Sequence, residues 1–283
     1  KEWVEKYNYV CATLVDRIVP GFPRKDIAQI QETIGYKDNL VVQAETFHLW
    51  VIEAPKEVAK EFPADKAGLH VLFVPSEEPY HKRKVTLLNG PHTVLSPVAF
   101  LSGVNIVRDA CNHEVISKYI HKVQFDELMQ TLDLPMEDLE KFAADVLERF
   151  DNPYVDHQVT SIMLNSFPKF QARDLPGVKT FLERKGELPK GLVFGLAAII
   201  TYYKGGKRED GAEIVPNDDQ KIMDLLKELW ATGDTQKVAD GVLGAEFIWA
   251  EDLNKIPGLN AMVKQFLDII QDKGMLEAVK TIL

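Results

Sequence analysis

Residues 69–95, LHVLFVPSEEPYHKRKVTLLNGPHTVL, contain the change of pattern that decides the fold. Residues 69–74 are a short apolar run bounded by turn residues, and such a run predicts a β-strand. Residues 40–53, LVVQAETFHLWVIE, have the same character. From Lys84 onward the apolar residues recur every three or four positions, which is typical of amphipathic helices. The chain is therefore expected to change from strands to helices within this stretch.

Helix-start signals reinforce the periodicity in two later segments. Pro135 suits a first helical turn and precedes residues 136–150, whose apolar positions form a stripe. Acidic residues likewise mark the start of a helix over residues 217–230. Further helices are predicted at residues 113–131, 154–167, 174–185, 189–204, 234–249, 258–272 and 274–282. These patterns predict a mixed segment over residues 1–78 and a helical domain over residues 79–283.

The composition excludes several classes of protein. The 283 residues are 46% hydrophobic, as expected for a globular chain with a real core. A formal charge of −10 argues against nucleic-acid binding, which needs a local excess of Lys and Arg. Cys11 and Cys111 have no metal-binding or disulfide spacing, which favours a reducing, cytoplasmic compartment. Residues 192–203 are the longest apolar run and are too short to span a bilayer, so no membrane partner is expected.

The densest group of reactive side chains lies in residues 81–95. Lys84, Asn89 and His92 share one side of a helix if the segment is helical throughout. They supply an amine, an amide and an imidazole, a set that suits the interconversion of a carbonyl and an alcohol. The lysine needs burial or a cation such as Arg83 to bring its pKa from about 10.4 towards neutrality. The alternative is a solvated basic run in which the amide and the imidazole only cap or pack.

A second candidate site lies in residues 148–173. Its cationic or titratable side chains are Arg149, His157, Lys169 and Arg173. A helix over this region would align His157 with Ser161 and Asn165 in a polar stripe able to hold a carboxylate. The alternative is a helix whose polar face lies in water.

Asp16 is a third candidate, in the apolar stretch of residues 13–24, TLVDRIVPGFPR. The simplest interpretation of this residue is an ion pair with Arg17 that holds a loop. The sequence contains no GxGxxG, Walker, GxSxG or HExxH motif, so it shows no recognisable cradle for a nucleotide.

Four segments, taken together, point to a known family. They are TLVDRIVPGFPR at 13–24, KRKVTLLNGPHT at 82–93, RFDNPYVDHQ at 149–158 and LNSFPKF at 164–170. In order and spacing they resemble the mannitol dehydrogenase, or polyol-specific long-chain dehydrogenase, family, and most of all its tagaturonate-reducing branch. The resemblance implies a mainly α fold, in which a helical dehydrogenase domain like the C-terminal domain of 6-phosphogluconate dehydrogenase follows a short α/β segment that ends a Rossmann-type domain.

The family also implies an activity and roles for individual residues. The implied reaction is hydride transfer between NADH and tagaturonate to give altronate, with NAD as cofactor and no metal. Lys84 would be the general acid or base, Asn89 and His92 would position the reacting oxygen, and Asp16 would contribute from the first domain. Lys169 matches a substrate-binding lysine of the family.

One departure from the family pattern bears on the substrate. Mannitol dehydrogenases carry an arginine eight residues before the position of Lys169, whereas this chain has Ser161. The difference puts a simple polyol substrate in doubt and favours a uronate. Arg149, His157 or Arg173 would then face the substrate carboxylate.

Several expectations stay open at this stage. Fructuronate reductase and mannitol or polyol dehydrogenase are rivals within the family, and a non-catalytic helical interaction module, using residues 189–204 and 258–270, is a rival of another class. The opening residues look like the interior of a longer protein, so we expect the cofactor-binding residues upstream and no activity from this chain alone. A small-molecule keto-uronate is the expected partner of a monomer or weak homo-oligomer.

Overall fold

The computed structural model describes residues 1–208 and 210–283. The chain forms two compact units, unit 1 (Lys1–Lys84) and unit 2 (Val85–Leu283). The predicted fold class, a short α/β segment followed by a helical domain, is confirmed. The division at Lys84 lies six residues beyond the predicted end of the first domain, at residue 78.

Unit 1 is built around a three-stranded sheet in the order β1-β2-β3. Its elements are α1 (Glu2–Tyr7), β1 (Thr13–Asp16), α2 (Ile27–Ile34), β2 (Leu49–Glu53), α3 (Lys56–Glu61), a 3₁₀ turn (Ala64–Ala67), β3 (Val71–Val74) and α4 (Glu78–Lys84). The central strand β2 pairs antiparallel with β1 and parallel with β3. Leu49, Val51 and Ile52 of β2 are buried, as is Val71 of β3. The small core of unit 1 therefore includes side chains from these two paired strands.

One strand prediction for unit 1 needs correction, and one strand of this unit was not predicted. The strand predicted over residues 40–53 occupies only Leu49–Glu53, because the preceding residues bond to a loop instead. The Gln43 N–H donates to the Gly21 carbonyl and the Glu45 N–H to the Ile18 carbonyl, at 2.8 and 3.1 Å. Strand β1 was not predicted. Of its four residues, TLVD, only Asp16 is buried, so the sequence lacks the alternation of apolar and polar residues that marks a half-buried strand.

Unit 2 is an assembly of helices with one short hairpin. Its elements are a π-helical segment (Val85–Asn89), α5 (Gly90–Leu101), α6 (Val107–Asn112), α7 (Ile116–His121), a second π segment (Lys122–Leu128), a 3₁₀ turn (Met129–Thr131), α8 (Met136–Phe150), α9 (Val159–Ile162), α10 (Ser166–Arg173), α11 (Leu175–Lys185), α12 (Lys190–Tyr202), β4 (Gly206–Lys207), β5 (Glu213–Ile214), α13 (Gln220–Ala231), α14 (Thr235–Leu243), α15 (Glu246–Trp249), a 3₁₀ turn (Leu253–Lys255), α16 (Leu259–Lys273) and α17 (Met275–Lys280).

The core of unit 2 forms where α12 packs against α5 and α16. Every residue of α12 after Lys190 is buried, so this apolar helix is a core element. Gly195 permits the close approach to α5, because a Cβ added there would lie 2.6 Å from Cγ1 of Val94. The start of α12 is held by the Glu127 carboxylate, which accepts the N–H groups of Gly191 and Leu192 at 2.7 and 2.8 Å.

This burial bears on the interaction-module hypothesis. The apolar side chains of α16, such as Val263 and Leu267, are also buried. The two segments proposed as a partner surface, residues 189–204 and 258–270, therefore direct their apolar faces into the core, and that part of the hypothesis is wrong.

The prediction of one helix over residues 154–167 is also wrong. His157 lies outside any helix, in a segment where Gln158 forms a β-bridge with Ile106. A short helix, α9, follows, and Asn165 then takes a left-handed conformation with φ of 53° before α10 begins. The expected polar stripe through His157, Ser161 and Asn165 therefore does not exist.

Among the described residues, no helix is both long enough and apolar enough to cross a membrane.

Candidate active site

The first π segment leads into α5 and determines where Asn89 and His92 lie. Pro91 has no N–H, so the carbonyl of Leu87 cannot receive the usual bond from the residue four positions later. The buried amide of Gln124 replaces that donor, with its Nε2 at 2.8 Å from the Leu87 carbonyl oxygen. A side chain of the second π segment thus supplies the hydrogen bond to the carbonyl of Leu87.

His92 lies at the start of α5, where it contacts the rings of Phe150 and His157. Its imidazole is buried and stacks on the ring of Phe150, with 3.8 Å between centroids and 20° between planes. His157 meets the same imidazole edge-on, with 5.4 Å between centroids. Burial lowers the pKa of His157 to about 4, so this second imidazole is neutral near pH 7. The stack fixes the plane of the His92 ring.

The buried carboxyl group of Asp174 lies close to Gly90, the first residue of α5. A Cβ at Gly90 would lie 2.9 Å from its Oδ1, so only glycine fits without displacing the carboxyl. Neither carboxyl oxygen has a hydrogen-bond partner among the residues that the structure describes. Burial raises the pKa of Asp174 well above its ordinary value, which favours a neutral carboxylic acid.

Two cations lie together on α10, beside the start of α5. Arg173 donates from Nη1 to the hydroxyl of Thr93 at 3.1 Å, and Thr93 in turn donates to the carbonyl of Asn89 at 2.8 Å. Lys169 donates to the carbonyl of Ile162 at 2.7 Å. Burial and the neighbouring charge of Arg173 lower the pKa of Lys169, while Asp218 acts in the opposite direction. The two cations therefore repel each other in a half-buried position.

The remaining predicted site residues lie elsewhere. Arg149 is half-buried at the end of α8, where it is engaged by other groups of the protein. Asp16 and Lys84 belong to unit 1; Asp16 is buried on β1, and Lys84 is half-buried at the end of α4. Arg17 is exposed and its Nε donates to the carbonyl of Glu45 at 2.9 Å.

The structure thus brings five of the eight predicted residues into neighbouring groups within unit 2. These are Asn89, His92, His157, Lys169 and Arg173. Sequence reasoning missed Thr93, Phe150 and Asp174, which connect or support the groups. Gly90 was the available signal for Asp174, since a glycine inside a helix often marks the close approach of another group.

Comparison with known proteins gives the family. Residues 77–271 match the model of the mannitol dehydrogenase C-terminal domain, and residues 1–66 match that of the mannitol dehydrogenase Rossmann domain. The chain belongs to the mannitol dehydrogenase family. The resemblance seen in the sequence is thereby confirmed.

Relatives within the mannitol dehydrogenase family are similar along the whole chain. Altronate oxidoreductases of Bacteroides thetaiotaomicron and Phocaeicola vulgatus are 80% and 78% identical to it over 283 residues. The chain covers 59% of the length of each of these relatives. The solved structure of Pseudomonas fluorescens mannitol 2-dehydrogenase, a ternary complex with NAD and D-mannitol, matches 99% of this chain and 56% of its own, with a TM-score of 0.82. Its identity of 22% shows the shared fold alone.

Proposed function

We propose that this chain is the substrate-binding and proton-transferring part of an NAD-dependent oxidoreductase that interconverts tagaturonate and altronate. The observation that carries the proposal is the identity of 80% over the whole chain with an altronate oxidoreductase. The paired cations on α10 support an acidic substrate, because Arg and Lys are the side chains that bind carboxylates.

The residues of this chain do not by themselves fit NAD. The sequence has no glycine-rich phosphate loop, and the positive-φ glycines of unit 1 belong to separate turns, at Gly21, Gly35 and Gly68. In the proposed reaction, NAD accepts or supplies the hydride when it is bound. The roles below concern the reacting oxygen of the sugar acid alone.

In this proposal Lys84 transfers the proton of the reacting oxygen. It gives a proton to the oxygen during reduction and removes one from the alcohol during oxidation. The Asn89 amide and the His92 imidazole hold the oxygen and stabilise its developing negative charge. The stack with Phe150 supports the role of His92, because a fixed ring loses little orientational freedom when substrate binds.

The role of Lys84 is tested in the complete protein by Lys84→Ala. Loss of a general acid or base is expected to lower kcat by about 100- to 10,000-fold and to leave NADH affinity nearly unchanged. Lys82→Ala is the matched control, since Lys82 lies on the same helix but is exposed and pairs with Glu78 at 3.3 Å. Steady-state kinetics and NADH fluorescence titration measure the two effects. Retained turnover in Lys84→Ala would remove the proposed role.

The substrate is tested by NADH oxidation with tagaturonate, fructuronate, fructose and fructose 6-phosphate, compared by kcat/KM. The proposal expects tagaturonate to be preferred. Preference for fructuronate would keep the acidic substrate but change its identity, whereas preference for fructose would contradict the carboxylate-binding role. The absence of turnover with all four would reject the proposed reaction.

A further inference from the structure

We propose that Arg173, with Thr93 as its positioning residue, binds the carboxylate of the sugar acid beside Lys169, which the family resemblance already implies is a substrate-binding residue. The inference rests on the proposed function, because it assigns the acidic end of that substrate. It selects one of the cationic side chains that the sequence offered.

The first support is the unused bonding capacity of the two cations. Arg173 has five N–H donors, and the hydroxyl of Thr93 takes one of them. Lys169 has three, and the carbonyl of Ile162 takes one. In the part of the chain that the structure describes, no carboxylate forms an ion pair with either side chain. Both side chains are half-buried, so a ligand can still reach donors on the accessible side.

The second support is the surrounding charge. Asp174 follows Arg173 directly, but its buried carboxyl makes no hydrogen bond to the guanidinium. The acidic residue that raises the pKa of Lys169 is Asp218. Its carboxylate accepts a hydrogen bond from the Tyr203 hydroxyl at 2.5 Å. Two like charges four residues apart on one helix face destabilise each other. An anionic ligand between them relieves that repulsion.

The third support is the position relative to the oxygen-binding group. Thr93 follows His92 on the first turn of α5, and it connects Arg173 to the carbonyl of Asn89. A small molecule can therefore present its carboxylate to α10 and its keto oxygen to the start of α5. Both groups belong to unit 2.

The other candidates fit this role less well. His157 is neutral near pH 7 because burial lowers its pKa to about 4, so it offers no full charge to a carboxylate. Arg149 is already engaged by other groups of the protein. Ser161 is uncharged, and its hydroxyl donates to the Gln158 carbonyl at 2.7 Å in its own turn.

The test compares Arg173→Gln with wild type in the complete enzyme, using tagaturonate and tagatose. Tagatose has a CH₂OH group where tagaturonate has the carboxylate, so the ratio of the two kcat/KM values measures recognition of the charge. Removing a charged hydrogen bond is expected to lower this ratio by about 10- to 100-fold, mainly through the KM of tagaturonate. Arg184→Gln is the control, since Arg184 also belongs to unit 2 but is exposed and pairs with Asp133 at 2.8 Å. An unchanged ratio in Arg173→Gln would overturn the assignment.

A binding measurement separates this inference from the proposed reaction. Calorimetry of altronate and of the neutral polyol altritol is carried out with NADH present, because NADH cannot oxidise altronate. Tighter binding of altronate by wild type, lost in Arg173→Gln, would support the carboxylate site even if tagaturonate were not reduced. Equal binding of altronate and altritol by wild type would overturn the carboxylate site, whatever the turnover.

Discussion

At the scale of single residues, His157 and Asp174 illustrate how burial acts on titratable groups beside His92 and Arg173. Burial lowers the pKa of His157 and raises that of Asp174, so both groups favour the form without charge. Among the described residues neither Lys169 nor Arg173 forms an ion pair with a carboxylate, although the charge of Asp218 raises the pKa of Lys169. This arrangement suits a site whose counter-charge arrives with the ligand.

The pKa of His157 gives a prediction for stability. A pKa lowered to about 4 in the folded state, against an ordinary value of 6.5, means that the unfolded state binds more protons between these values. The stability from the neutral imidazole is fully present above pH 6.5 and is lost as the pH falls towards 4. Wild type should therefore lose about 1–3 kcal/mol relative to His157→Gln between pH 7 and pH 4.

Denaturant unfolding of both proteins at several pH values measures this difference. The comparison with His157→Gln is needed because Glu127, whose pKa is raised to about 7 by burial, changes stability in the opposite direction over the same range. A difference between the two proteins that does not depend on pH would contradict the prediction.

The sequence could predict contacts in the candidate site only between residues that are close together along the chain. The placement of Asn89 and His92 close together could be predicted from the sequence, because their spacing lies within one turn of a helix. The supporting contacts could not be identified in this way. Gln124 bonds to Leu87 and Arg173 to Thr93 across 37 and 80 positions of the chain, and no periodic pattern encodes such pairs.

At the scale of elements, predictions succeeded where a helix has one buried face and clear end signals. Helix α8 has the predicted bounds, Met136–Phe150, because its apolar stripe and acidic first turn agree. The helix over residues 154–167 failed because a β-bridge at Gln158 and the left-handed Asn165 interrupt it. The predicted helix 113–131 begins as α7 but changes to π geometry at Lys122, a change that periodicity does not reveal.

The contact between α5 and α12 is tested by Gly195→Ala. The added methyl group would lie 2.6 Å from Cγ1 of Val94 and 2.9 Å from the Tyr119 hydroxyl, so one of the helices must move. Overpacking is expected to cost about 1–3 kcal/mol of unfolding free energy, although alanine favours helices more than glycine does. Thermal or denaturant unfolding measures the change.

Val94→Ala provides the control for this prediction. It removes the side chain that the new methyl group meets, so the double variant should be more stable than the sum of the two single changes predicts. Additive effects would show that the clash with Val94 is not the cause.

At the scale of the whole molecule, the two units differ in how much of their chain is buried. In unit 1, helices α1, α2 and α3 contain no buried residue. In unit 2, α12 is buried from Gly191 to Tyr202, and α5 from Gly90 to Phe100. Because local opening costs less where few apolar contacts are lost, the two units are expected to open with different free energies.

Hydrogen–deuterium exchange of the 283-residue chain tests this difference. Amides of α5 and α12 are expected to exchange slowest, through opening of the unit 2 core, whereas those of α2 exchange much faster through local fraying. Helix α13 is an internal reference, since it belongs to unit 2 but buries only Ile222 and Leu226 and should be intermediate. Equal protection of α2 and α12 would contradict the argument, because it would require a free energy of opening in unit 1 that its buried side chains do not supply.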